Sequence, residues 1–437
     1  MRPGIDGPTA ALVALPYRDV HVRVEVANGS GTLIDLTSRC QSVMWTDPNP
    51  QQPIGSLDVV LVRENAARTA SLAPFVAASS LNVLDDGVTF SPLVQIGRAI
   101  TLEIAFTAEK AARPADDSAL WYEVFRGRVG NVAWPQNYGG QASIHALDQG
   151  GRMQKEKAEA EHTYAAGTAV ETVAQAALDD FYGAGTYTLS VPAASGAVLS
   201  NDYAPGQQKT LWQIVQELAT SIGWVAWYRY SSRTASALTF FEPARTKAVS
   251  DATVPAIYSY DALSVDENEI ANVLYGKYVD DVGAAQVVGP IESTASIAAY
   301  GGIRRSAWIA LGEDSAVRSA ADMTALLGAA LSDMADPDAI ASVTVPLFPF
   351  TEAGNDLLTF DDPQRVRFDS PQLWAPYSVT HTIAANQNPT TTMQVRGKPS
   401  AGFRAWDGRA KEYRPPAALT GFTLTSDDTT ALATADD

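Results

Sequence analysis

The chain has 437 residues, 46% of them hydrophobic, which is enough to bury several cores and too many for one, so three or four globular domains are expected. Its 49 Asp and Glu outnumber 31 Lys and Arg for a formal net charge of −18, and the cations are scattered singly or in short pairs such as Arg304-Arg305. Stable nucleic-acid binding and an anionic membrane surface are disfavoured, because each needs concentrated positive charge; the acidity reads as a solvated surface.

Cys40 is the only cysteine, which excludes intrachain disulfides and Cys-rich zinc clusters. The start of the chain has Arg2, Pro3, Asp6 and Pro8 ahead of a short apolar run at 10–15, unlike a secretory signal. No run approaches the ~18 apolar residues of a membrane span, so membrane insertion is not expected. Synthesis in the cytoplasm fits, with exit by lysis or by assembly into a particle.

The first elements are strands. Val22, Val24 and Val26 alternate with His21, Arg23 and Glu25, and Asn28-Gly29-Ser30-Gly31 turns the chain into a second run at 32–36, a hairpin with one buried face. Strands are predicted at 57–63, at 100–106 with Ile100, Leu102, Ile104 and Phe106 on one face, and at 121–129. Short strands at this spacing suggest a sandwich or barrel. The pattern changes after Asp148, where Gly150-Gly151 leads into the charged stretch 152–161, so residues 1–150 are read as a first β-barrel domain.

Residues 151–250 are predicted to form an α/β insert. A helix near 168–178 carries Val170, Val173, Ala174 and Ala177 on one stripe. A second, at 209–222, carries Leu211, Val215, Leu218 and Ile222 and stops at Gly223, followed by a hairpin at 224–242. Residues 251–400 resume the β pattern: a strand at 272–279, a Gly/Ala-rich stretch, a helix at 316–334 before Asp336-Pro337, strands at 342–347, 357–360 and 365–368, and a terminal hairpin of 377–383 with 390–396. Residues 401–437, Thr/Asp/Ala-rich after Pro415-Pro416, read as a loosely ordered extension. The fold class expected is mainly β, two β-barrel domains flanking a helix-plus-hairpin region.

Little in this pattern carries chemistry. The four histidines, His21, His145, His162 and His381, have no local partners and read as outward or half-buried residues. Cys40 lacks a nearby histidine and reads as a structural thiol. Nucleophile elbow, His-Glu-x-x-His, phosphate-loop and dinucleotide motifs are all missing from the sequence. The pairs Asp85-Asp86, Asp116-Asp117, Asp179-Asp180, Asp280-Asp281 and Asp361-Asp362 read as turn residues, not as a glycosidase pair, and no Asp-x-Asp-x-Asp-Gly calcium loop occurs. Catalytic, cofactor-binding and metal residues are therefore not assigned. Trp212, Trp224, Trp227, Tyr228 and Tyr230 cluster around the second helix and its hairpin; a packed core is the main reading, and a sugar-stacking platform at Trp224, Trp227 and Tyr228 is the alternative.

Four stretches, in order, resemble the tail-hub family of bacteriophage tail tips and baseplates. They are Phe90 to Ile104 with its Gly97-Arg98 turn, followed by Phe125-Arg-Gly-Arg-Val-Gly; Leu211-Trp-Gln-Ile-Val-Gln-Glu-Leu-Ala-Thr-Ser-Ile-Gly-Trp with Leu238-Thr-Phe-Phe-Glu-Pro; Asn272-Val-Leu-Tyr-Gly with Ser296-Ile-Ala-Ala-Tyr-Gly; and Tyr377-Ser-Val-Thr-His-Thr-Ile with Thr390-Thr-Thr-Met-Gln-Val-Arg. Together they span roughly residues 15–400. The resemblance implies a non-enzymatic virion protein at the distal end of the tail: a homotrimer ring whose two barrels per subunit give six similar positions, matching a sixfold tail tube or distal tail protein on one side and a threefold spike or fibre on the other. Genomic DNA would pass through its lumen only transiently. A carbohydrate-binding adhesin and a tail-associated cell-wall hydrolase are the alternatives.

Overall fold

A computed structural model describes residue 13 and residues 18–397, apart from 62–81, 85–89, 134–140, 158–161, 266–269, 361–372 and shorter stretches of one to three residues. The strand expected at 365–368, the pairs Asp85-Asp86 and Asp361-Asp362, and the extension 401–437 lie outside the described residues.

Alternating side chains build the first β region. Its strands are β1 (Arg18–Ala27), β2 (Leu33–Asp35), β3 (Cys40–Thr46), β4 (Ser56–Leu61), β5 (Ala99–Ala108), β6 (Tyr122–Ala133) and β7 (Ala142–Asp148). β1 runs antiparallel to β5 in the register Val22↔Ile104, Val24↔Leu102, Val26↔Ile100. Val24, Val26, Ile100, Leu102 and Ile104 are fully buried on the shared face. Each contributes roughly 1.5–3 kcal/mol by leaving water, so a one-residue slip would forfeit the whole stripe. β2 closes the expected hairpin with β1 at Glu25↔Asp35.

The insert begins with α1 (Gln149–Met153), followed by α2 (Val170–Tyr182), α3 (Leu211–Ser221) and the hairpin β8 (Val225–Tyr230) and β9 (Ser236–Phe241). Thr210 caps α3: its hydroxyl accepts from the Gln213 N–H while the Gln213 side chain accepts from the Thr210 N–H, a capping box. Val173, Ala174, Ala177 and Leu178 of α2 and Leu211, Ile214, Val215 and Leu218 of α3 pack with Trp227 and Phe240 in one apolar core.

Beyond the insert lie β10 (Val273–Val279), β11 (Ala285–Glu292), α4 (Thr294–Ala299), β12 (Ser306–Ala310), α5 (Ala320–Met334), β13 (Ala339–Pro346), β14 (Trp374–Ala384) and β15 (Thr390–Gly397). The Gly/Ala-rich stretch is more ordered in pattern than the sequence implied. β11 pairs along β10 with an irregularity between Leu274 and Gly276, which falls opposite Gly289 and Pro290. β12 joins β10 in parallel, and α5 covers this three-stranded sheet, with Leu274, Ile309, Met323 and Leu327 in the core between them. Gly276 has to be glycine, since a Cβ there would run into the Met323 side chain. The helix expected from 316 starts at Ala320, because Ser319 caps it by accepting from the Asp322 N–H at 3.1 Å.

The remaining strands do not form a sheet of their own. A 14-stranded sheet runs from Ser259–Tyr260 through β13, β15, β14, β3, β4, β7, β6, β5 and β1 to β2, so both β regions share it, joined where β14 meets β3. Their core is shared as well: Val24, Leu57, Ile100 and Phe106 belong to the same buried cluster as Val343, Phe360, Trp374 and Met393. The protein is mainly β with an α+β insert.

Candidate functional site

The two β regions are joined by a polar relay. β3 pairs with β14 over Ser42–Thr46, placing Trp45 opposite His381. His381 is fully buried, with Nδ1 2.8 Å from Thr391 Oγ1 and Nε2 3.3 Å from Asp47 Oδ2, and its ring stacks on Trp45 at 4.5 Å. Thr391 Oγ1 also accepts from the Phe348 N–H at 2.7 Å. The order Thr–His–Asp resembles a nucleophile triad. Its hydroxyl has no exposed surface, so a substrate carbonyl has no route to it, and the relay works as a clamp across the seam.

The half-buried position expected for His381 is thus corrected to a fully buried one. The signal was present in the alternation itself, because His381 shares its face with Val379, also at 0% exposure. The other histidines stay apart: His21 contacts Thr107, His145 pairs with Asp58 at 2.8 Å, and His162 lies 3.3 Å from Asp180. Among the described residues no group of three His, Cys, Asp or Glu is arranged to hold a metal ion.

A second seam ties the insert to the sheet at Asp148. Its carboxylate is buried and accepts from the Gly55 N–H at 2.6 Å and the Gly150 N–H at 2.8 Å, while its own N–H donates to Gly55 O. Burial pushes this carboxyl up to about 7, against the pull of the backbone N–H groups that favour the ionised form. The glycines that follow permit the close approach, since a Cβ on Gly150 would lie 2.9 Å from the Trp212 ring and one on Gly151 would overlap Leu147. Sequence reading marked this corner as a boundary but gave the carboxylate no role.

The insert also grips both β regions. Arg229 forms a two-pronged pair with Glu352, one contact at 2.6 Å. The Glu123 N–H donates to Arg233 O at 2.9 Å, and the Arg233 guanidinium lies 4.4 Å from the Tyr122 ring centre. Phe350 packs against Phe106 and Tyr122 with ring centres 5.7 and 5.2 Å apart, and Arg18 donates to Val13 O and Leu347 O.

The aromatic cluster lies mostly inside. Trp227 is 1% exposed and meets Phe241 edge-on at 5.2 Å; Trp212 is 3% exposed, and Trp224 is partly buried against Phe240 at 5.7 Å. A sugar platform centred on Trp227 would have no face to offer. Cys40 is half-buried: Sγ donates to Leu36 O at 3.4 Å, and desolvation pushes the thiol up to about 12, so a thiolate nucleophile is disfavoured. Asp280 sits at the β10–β11 turn as expected, accepting from the Val282 and Ala284 N–H groups. Asp179 and Asp180 do not lie at a turn but in the last turns of α2, where they receive Gln175 and Tyr164.

No protein-family model and no curated sequence matches the chain. Solved structures do. The tail protein from Neisseria meningitidis MC58 aligns with a TM-score of 0.54 at 12% identity, covering 87% of this chain and 97% of that one. The 43 kDa tail protein of prophage MuSo2 from Shewanella oneidensis aligns at 0.53 and 13%, covering 86% and 98%. A chain of the Francisella PdpA-VgrG complex aligns at 0.50 and 9% over 90% of this chain, which spans about half (54%) of that longer one. Over nearly its whole length, the chain has the fold of phage tail proteins.

Proposed function

We propose that this chain is a structural, non-enzymatic tail component: a hub at the distal end of a phage-type tail. The observation that carries this reading is the end-to-end likeness to two tail proteins, 97% and 98% of whose lengths are covered. The shared sheet supports it, because two β regions locked in one rigid subunit can present two similar surfaces from each copy. Three copies in a closed ring then offer six positions to a sixfold tube or distal tail protein, and threefold symmetry to a spike or fibre. The excess of acids suits a channel wall along which DNA slides without sticking. Burial of Trp227 weighs against a sugar platform centred on that ring, and burial of His381 and Thr391 weighs against a hydrolytic centre at that pair.

Gold-labelled antibody against the purified chain, applied to tailed particles from its host, tests the placement. Label confined to the distal tip is expected; label along the tail shaft or on the head would contradict the hub reading.

A further inference from the structure

The sheet of β10, β11 and β12 has α5 on one side. Leu274 and Ile309 point into the core beneath that helix, so by strand alternation Tyr275, Lys277, Trp308 and Ala310 lie on the opposite side. Tyr275 and Trp308 stack there with ring centres 4.8 Å apart, and Val287, paired with Lys277, is 44% exposed. β12 is also an edge strand, with β10 as its neighbour in the sheet among the described residues. Arg305 O accepts from the Asn272 and Val273 N–H groups, and the Leu311 N–H donates to Lys277 O. Odd-numbered residues of this stretch therefore face β10, and Ser306 and Ala310 turn their N–H and C=O groups outward. The opposite edge, β11, is less suited to receive a strand, because Pro290 within it has no N–H to give.

We propose that the β12 edge is a docking site for the end of the same chain, with residues 421–426 adding antiparallel to β12. Leu424 opposite Trp308 puts Phe422 opposite Ala310, both on the side away from α5. The same register brings Asp427 opposite Arg305 and Asp428 opposite Arg304, two exposed arginines of which Arg304 also pairs with Glu292. Three features select this segment. Phe422-Thr-Leu-Thr alternates apolar and polar residues, with Thr and Phe favoured in strands. Residues 415–437 contain four Asp and neither Lys nor Arg, so their charge complements the arginine pair. The segment also reaches. Gly397 pairs with Ala339, and the Ala271 N–H donates to Met334 O beside the start of β10. By that path β12 begins within about 40 Å of Gly397, whereas residues 398–420 can span ~75 Å. The docking is independent of the hub reading.

Hydrogen exchange of the full chain, read by mass spectrometry on a peptide covering 304–312, tests the pairing. The outward β12 amides should exchange at least about tenfold more slowly in the full chain than in Leu424→Asp or in a chain ending at Arg414. Exchange in β1 and β5 should stay the same in all three, which separates loss of docking from loss of fold. Asp427→Arg should also speed exchange at 304–312, and adding Arg305→Asp to it should restore protection. Isotope-labelled chain ending at Arg414, mixed with unlabelled full chain, should keep its fast exchange. The proposal is overturned by unchanged exchange at 304–312 in both Leu424→Asp and the shortened chain. Slowing in the labelled shortened chain would equally overturn it, since the segment would then dock on a second copy.

Discussion

The insert and the sheet are held together in different ways. In the insert the decisive contacts join near neighbours: α3, capped at Thr210, turns directly into the β8–β9 hairpin, whose Trp227 and Phe240 share its apolar core. In the sheet the decisive pairing joins β3 to β14, with Thr46 and Thr380 facing each other across 334 residues, and a His–Asp–Thr relay lies beside it. Local packing needs only an amphipathic pattern. A distant seam must also select one register, and buried polar groups with directional partners do that at the cost of heavy penalties when a partner is lost.

Trp227→Ala probes the insert with the largest expected effect, about 3–5 kcal/mol for deleting a buried aromatic. Hydrogen exchange should accelerate in α3, β8 and β9 while β1 and β5 stay protected. Equal acceleration in β1 and β5 would break the comparison, showing that the two regions open as one.

His381→Ala probes the seam. Loss of the buried ring and its hydrogen bonds should cost about 3 kcal/mol, read from urea unfolding of the full chain. Exchange should rise in β3 and β14 and leave the insert protected, the reverse of the first variant.

Asp148 sits between the regions, and its effect depends on pH. Its folded carboxyl titrates near 7, above its ordinary value of 3.8, so between these values the folded state keeps a proton that the unfolded state has released. This part of the stability is therefore largest in mild acid, falls as pH rises from about 4 to 7, and levels off above. Asp148→Asn turns an amide N–H₂ toward a backbone N–H and should cost about 1–3 kcal/mol at pH 5. The gap to wild type should narrow by pH 8. Glu123 and Glu217, both raised by burial, leave the variant a residual slope of the same sign. A gap that is constant across this range would show that Asp148 titrates normally.

The smallest effect is expected from Thr210→Ala, which removes the α3 cap: about 1 kcal/mol, seen as a small shift in the urea midpoint. A loss as large as that of Trp227→Ala would mean that the cap, not the core, holds the insert together.

This division also explains what was legible in the sequence. The stripe Ile100, Leu102, Ile104, Phe106 and the spacing of Leu211, Val215 and Leu218 announce their elements because the burying surface lies in the periodicity itself. β3 gave no such sign: Cys40-Gln-Ser-Val-Met-Trp-Thr buries only Val43 and Trp45, and one of its two partners, β14, lies far along the chain from it. β11 was hidden by Gly289-Pro290, which reads as a strand breaker and falls opposite the β10 irregularity.

The mass of the purified chain by light scattering after gel filtration, with negative-stain images of the same peak, tests the central claim most directly. The hub reading predicts three times the monomer mass and a ring with a central hole. A compact monomer at every concentration, with no ring at the tip of assembled particles, would contradict it.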